Sequence, residues 1–213
     1  MRLTRSLALV VGVIFLSGCA SFQLAGEVES GRQAWFKGNN EAALAHFHSA
    51  AQKNPNYVYG THLRQGIWSY VGRSEYAMGR LPQARQSLER AISANKEEDL
   101  ARLYLGLTLA RDGDRQRGLK EIEGGMRGIH NWLDYINEAH RFSFGQYWDP
   151  GRDIRSAIQT DLAMISGRDL DWQKLIADTE WVAQRMEEEP DRARRHEIHD
   201  RWRDSNGRGD SPR

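Results

Sequence analysis

Four short stretches of this chain carry residue types that can do chemistry. The first is Leu16-Ser17-Gly18-Cys19, which holds the only cysteine among 213 residues and directly follows an apolar run. The second is RHEIHD at 195–200. On a helix His196 and His199 share a face with Asp200 and could hold a metal loosely, but HExxH zinc sites need histidines four apart, not three. The third is AHFHSA, with His46 and His48. That spacing ligates from a strand, whereas on a helix residues two apart point away from each other. The fourth is FSFGQYWDP, where Phe142, Phe144, Tyr147 and Trp148 crowd one loop, with Trp132 and Tyr135 just upstream. Such a loop either stacks on a sugar face or plugs the core beneath neighbouring helices. Acidic residues are abundant, yet no pair sits in an obviously apolar setting that would tune it for acid–base work. There is no nucleophile elbow and no phosphate-cradling glycine loop. Arg208-Gly209-Asp210 is explained by chance in a polar tail. We therefore expect no enzymatic activity, no metal and no catalytic residue.

The elements around the cysteine come next. Arg2 and Arg5 precede an apolar run at 7–16, and the small residues Ser17 and Gly18 follow. This is the three-part plan of a secretory signal, and the run is too short for a spanning helix, which needs about 20 residues. The chain has 30 basic and 29 acidic residues, and two of the arginines lie in the signal. A near-neutral body argues against nucleic-acid binding. What remains after the signal is long enough for one good core or one continuous solenoid.

LSGC resembles the lipobox of bacterial lipoproteins. The resemblance implies that 1–18 is removed and that Cys19 becomes the first mature residue, carrying a thioether-linked diacylglycerol and an N-acyl chain, with 19–23 as a tether. Several acyl chains hold a protein firmly on a bilayer where one holds it marginally. Ala20, where inner-membrane lipoproteins tend to have Asp, implies the outer membrane facing the periplasm. No other cofactor is expected.

Three stretches of the middle align with one another: one from Gly31, one from Trp68, one from Leu103. Each carries a Gly, a second Gly seven residues on, and small and large apolar residues at fixed offsets. These are Gly31, Gly38, Ala43, Phe47, Ala50 and Pro55; Gly72, Gly79, Ala84, Leu88 and Ala91; Gly106, Gly113, Gly118, Ile122 and Gly125. Gly72 to Gly106 is 34 residues and Gly31 to Gly72 is 41, so about seven residues are inserted near 58–64. The pattern resembles the tetratricopeptide repeat over 24–130. The expected class is all-α: an α-solenoid of helix pairs with additional C-terminal helices. The first Gly of each unit lets helices approach, the second serves the tight turn, and Pro55 stops a helix. The third unit is the weakest, with Arg102 at a usually apolar position and Gly118, Gly124, Gly125 and Gly128 in its second helix.

The remainder is helical by pattern: 131–141, 153–166 with Ile154, Ile158, Leu162 and Ile165 on one stripe, and 171–189 with Asp171 as N-cap. Residues 131–189 either cap the repeats or bind. Pro190 is expected to interrupt the last helix, leaving a charged helix and a disordered tail over 190–213.

In tetratricopeptide arrays the first helix of each unit lines a peptide-binding groove. The resemblance places Arg32, Trp35, Phe36, Arg73, Tyr76, Leu107 and Arg111 there. This arginine–aromatic composition suits a partner segment with apolar anchors and some negative charge. The opposing possibility is that these side chains pack against the chain's own terminal segments. The expected function is a membrane-anchored periplasmic scaffold or assembly factor for envelope machinery, with envelope proteins as partners. The alternative is a peptidoglycan- or carbohydrate-binding module using Tyr147 and Trp148.

Overall fold

The computed structural model describes residues 22–207; Cys19, the signal at 1–18 and the RGD triplet lie outside the described residues. The class is all-α, with one two-residue-per-strand hairpin. The chain forms two compact units divided between Asn95 and Lys96.

The first unit holds α1 (22–36), α2 (Asn40–Lys53), β1 (Val58–Tyr59), β2 (Gln65–Gly66), α3 (Ile67–Ala77) and α4 (Leu81–Ala94). Asn39 starts α2, its Oδ1 accepting from the Ala42 N–H at 3.1 Å. Asn54, just before Pro55, ends it in an extended conformation. Gly38 and Gly79 turn the chain between paired helices at φ 74° and 71°, a region costly for side chains with a Cβ. The other repeated glycine works by size. A Cβ on Gly72 would lie 2.5 Å from Leu88 Cγ, and one on Gly31 2.5 Å from the Phe47 ring. Leu24, Val28, Ala43, Phe47, Ala50, Tyr70 and Val71 form the core between these helices. The inserted residues become the hairpin. Val58 pairs with Gly66 and Tyr59 with Gln65 in antiparallel register.

The second unit holds α5 (Asp99–Arg111), α6 (Arg115–Ala139), a short 3-10 turn (Phe144–Tyr147), α7 (Asp153–Ser166) and α8 (Trp172–Gly207). Helix α5 is buried almost all round, with Leu100, Leu103, Leu105, Leu107 and Leu109 at most 4% exposed. A helix apolar on every side belongs in the interior. The glycines of α6 let α5 approach closely. Gly125 sits where a Cβ would be 2.8 Å from the Asp99 carbonyl oxygen, and Gly118 meets the α5 backbone equally closely. Arg102 fits opposite Gly124, whose missing Cβ leaves room for the Arg102 side chain 3.1 Å away. The unusual Arg and the unusual Gly are complementary.

Two expected breaks are absent. Residues 131–139 continue α6 rather than forming a separate helix, because Met126, Ile129, Leu133 and Ile136 prolong the stripe that begins at Ile122. Pro190 lies inside α8, which runs on to Gly207. An interior proline costs a helix about 3 kcal/mol. Burial of Met186, Glu187, Glu189 and Ala193 on either side holds the helix through it. Asp171 does cap α8, Oδ1 accepting from the Lys174 N–H at 3.0 Å.

Candidate interaction surface

Five of the seven expected groove residues belong to the first unit. They build an alternating stack with the hairpin. The Arg32 guanidinium lies over the Phe36 ring at 5.4 Å and the Tyr59 ring at 5.7 Å. Tyr59 meets Tyr70 edge-on at 6.1 Å. The Arg73 guanidinium covers Tyr70 at 3.9 Å and Trp35 at 5.7 Å. Cation–π contacts of this kind strengthen when desolvated, and Arg73 is fully buried. Arg73 Nη1 donates to Gln65 Oε1 of β2 at 2.8 Å.

Glu29 ties the same stack to α1. It accepts from Tyr59 Oη at 2.7 Å and from Arg32 Nη1 at 3.3 Å. Burial works to raise the Glu29 carboxyl, and the Tyr59 hydroxyl and Arg32 outweigh it, holding it below its ordinary value. Burial, and then the facing Glu29, push the Tyr59 hydroxyl up.

The consequence for the expected groove is a correction. Arg32, Arg73 and Tyr76 are 6%, 0% and 5% exposed. Trp35 is half-buried, and only Phe36 at the outer end of the stack is open, at 44%. The chain's own hairpin supplies Tyr59 and Gln65 to the positions a bound segment would contact. Sequence reasoning missed both residues. Their signal was the seven-residue insertion itself.

The second unit follows the same rule. Leu107 is fully buried within α5, so it is core rather than lining. Arg111 reaches the surface and hydrogen bonds Glu180 of α8. Trp148 is 2% exposed, packed edge-on against Trp132 at 4.9 Å, and Asn137 Nδ2 donates to its carbonyl at 3.1 Å. Its ring offers no face to a sugar; of the two possibilities for the aromatic loop, the plug holds at this residue. Tyr147 is half-buried and bonds the Asp200 carboxylate, which Arg203 and Tyr147 hold below its ordinary value. Phe142 stays 86% exposed.

The histidine motifs separate. His46 Nδ1 is 3.1 Å from Glu27, and His48 Nε2 is 3.8 Å from Glu75. His196 and His199 are exposed on α8. Among the described residues no group of three His, Cys, Asp or Glu is placed to hold a metal.

Two buried acidic sites went unseen in the sequence. Asp149, at φ 44°, caps α7 by accepting from the Ile154 and Arg155 N–H groups, and binds Arg155 Nε at 2.9 Å. Glu189 of α8 accepts from the Asp149 N–H at 2.6 Å, and Arg155 reaches on to Asp134 of α6 at 3.2 Å. Burial raises Glu189, against the Asp149 N–H and Arg192. The second site is Asp161 of α7, fully buried, with neither carboxyl oxygen meeting a donor. Burial pushes it up to about 7, and the neighbouring Asp178 carboxyl adds to the rise. The stripe Ile154, Ile158, Ile165 passes through position 161, which was its signal.

No family model, curated protein or solved structure matches this chain.

Proposed function

We propose that this chain is a lipid-tethered, non-enzymatic interaction module of the bacterial envelope, built on tetratricopeptide-type helix pairs. The observation that carries the reading is LSGC after a ten-residue apolar run, with helix α1 occupying the first described residues, 22–36. A lipid on Cys19 then holds the body against the bilayer surface on the periplasmic side. Two further features support the helix-pair part. Helices pair through Gly31, Gly72 and Gly106, and Gly38, Gly79 and Gly113 turn between them at positive φ. No described helix is long and apolar enough to cross a membrane, so within those residues nothing competes with the lipid as an anchor.

The partner is an envelope protein that offers an apolar anchor with negative charge beside it. Its contact residues in the first unit are open Phe36 with half-buried Trp35; Arg111, exposed in the second unit, is a separate candidate. The buried members keep the fold.

The test has two arms. Cells expressing the full chain are fed an alkynyl fatty acid, beside a Cys19→Ser chain. Label and membrane association in the wild type, both lost in the variant, support the tether; a soluble, unlabelled wild type refutes it. Envelope crosslinking then compares wild type with Phe36→Asp and Arg111→Glu. One envelope protein lost in these variants supports the docking residues, and identical recoveries refute them.

A further inference from the structure

We propose that Asp161 and Asp178 form a proton-shared carboxyl pair that latches α7 to α8 and loosens as pH rises through neutrality. The reasoning starts from Asp161, in mid-helix on the stripe that seats α7. It is fully buried, and neither oxygen meets a donor among the described residues. An ionised carboxylate in that position would be buried without hydrogen bonds, which is strongly unfavourable. A protonated one has an O–H to donate, and the acceptor within reach is the Asp178 carboxylate of α8. One proton between two facing carboxyls makes a short, charge-assisted bond; with no proton the two repel.

The surroundings fit a shared proton rather than a salt bridge. Lys174 is spent on Asp178, to which its Nζ donates, and it points to solvent with about half its side chain exposed. Asp171 lies further along the same helix start and also faces Lys174. From α6, the charged groups turned toward α7 are His130, which meets Gln159, and Asp134, which meets Arg155. These engage α7 on residues other than Asp161. The pair is therefore neutralised by a proton and only partly by Lys174.

The direction of the pH effect follows. An Asp in the unfolded chain titrates near 3.8, and Asp161 in the fold near 7. Between those values the folded chain keeps a proton that the unfolded chain has lost. Stability from this pair is complete below about pH 4 and is lost as pH rises toward 7. Glu180, which holds Arg111 of α5, stands half a turn from Asp178. Weakening the latch loosens α8 at the turn that covers α5. The pair exists whether or not Cys19 is lipidated, so it stands apart from the proposed function.

The experiment is urea unfolding of the full chain at pH 5.0, 6.0, 7.0 and 8.0 for wild type, Asp161→Asn, Asp178→Asn and Lys174→Met. Asn keeps the shape of a protonated Asp and cannot ionise. The ratio of the Asp161→Asn folding constant to that of wild type should rise roughly tenfold per pH unit from pH 5 to pH 7 and then level off, about a hundredfold in all between pH 5 and pH 8. Asp178→Asn should flatten the wild-type pH slope as well. Lys174→Met should move the slope to higher pH, since only the cation opposing protonation is removed. A constant ratio of Asp161→Asn to wild type across the range overturns the latch. So does a variant that is less stable than wild type at every pH, because Asp161 would then be acting as an ionised structural group.

Discussion

Gln65 and Arg73 are joined at 2.8 Å across a fully buried contact, one on the hairpin strand β2 and the other in the middle of α3. The hairpin thus satisfies part of a guanidinium that two aromatic rings have already removed from water. A charged donor that loses a buried acceptor costs about 1–3 kcal/mol. Gln65→Ala should therefore lower the unfolding free energy by about that much. Phe36→Ala, at the open end of the same stack, should cost less than about 1 kcal/mol. Denaturant titration of the two variants checks the order; equal losses would mean that the stack is not graded by burial.

Glycines of α6 should fall into two kinds. Gly125→Ala drives a methyl into the α5 backbone, 2.8 Å from the Asp99 carbonyl oxygen, and neither helix can yield without moving the other. Overpacking of this kind costs about 1–3 kcal/mol. Gly124→Ala meets only the flexible Arg102 side chain at 3.1 Å. There the gain in helix propensity, about 1 kcal/mol, should win. Thermal midpoints should fall for the first variant and hold or rise for the second.

Glu27 fastens α1 to α2. Lys53 donates to it at 2.8 Å, and His46 and Ser49 bond it from the same helix. Lys53, then His46, hold its carboxyl down at about 2, against 4.5 for an ordinary glutamate. The unfolded chain therefore takes up a proton that the folded chain refuses between those values. This contribution is present above about pH 4.5 and disappears as pH falls toward 2. Glu27→Gln should lower the thermal midpoint at pH 7 by a few degrees and make no difference near pH 2. A pH-independent gap would point to lost packing instead of lost charge.

Asp149 holds three things at once: two N–H groups at the start of α7, the Arg155 guanidinium, and a left-handed backbone step. Asp149→Ala leaves Arg155, 5% exposed, without its nearest carboxylate. Removing one partner of a buried pair costs about 3–5 kcal/mol. Asp149→Asn keeps acceptor shape and tolerance of positive φ, so it should recover part of the loss. Circular dichroism during urea unfolding measures both; an Asp149→Ala chain as stable as wild type would show that Arg155 finds a substitute among Asp134 and water.

Glycine spacing was the most legible part of the fold. It placed three turns and three close approaches, because each needs a backbone property only glycine has. Helix ends were less legible. Pro190 has a strong local effect, and burial around Glu189 and Ala193 overrides it, a balance invisible without knowing what faces α8. Part of the expected groove is buried for a related reason. Helical spacing tells which residues share a face, and Arg32, Arg73 and Tyr76 do belong together. It does not tell what covers that face, and the cover came from an insertion that looked like spare length. Asp161 was hidden because a stripe is read from its apolar members, and an acid between them leaves no mark on that pattern.

Helix α8 is 36 residues, roughly 54 Å of rod at 1.5 Å per residue. Among the described residues its last buried one is Ala193. Beyond that point the helix has no apolar seat: Ile198 and Trp202 are 57% and 61% exposed. What it has instead are the Tyr147 contact to Asp200 and exposed ion pairs, Arg201 with Glu197 at 2.6 Å and Arg203 with Asp200. Such exposed pairs weaken as the Debye length falls from about 10 Å at 0.1 M salt to about 3 Å at 1 M. High salt should therefore fray the exposed turns of α8 beyond Ala193 before it touches the buried turns, leaving the Tyr147 contact to Asp200 as the hold that does not depend on an ion pair.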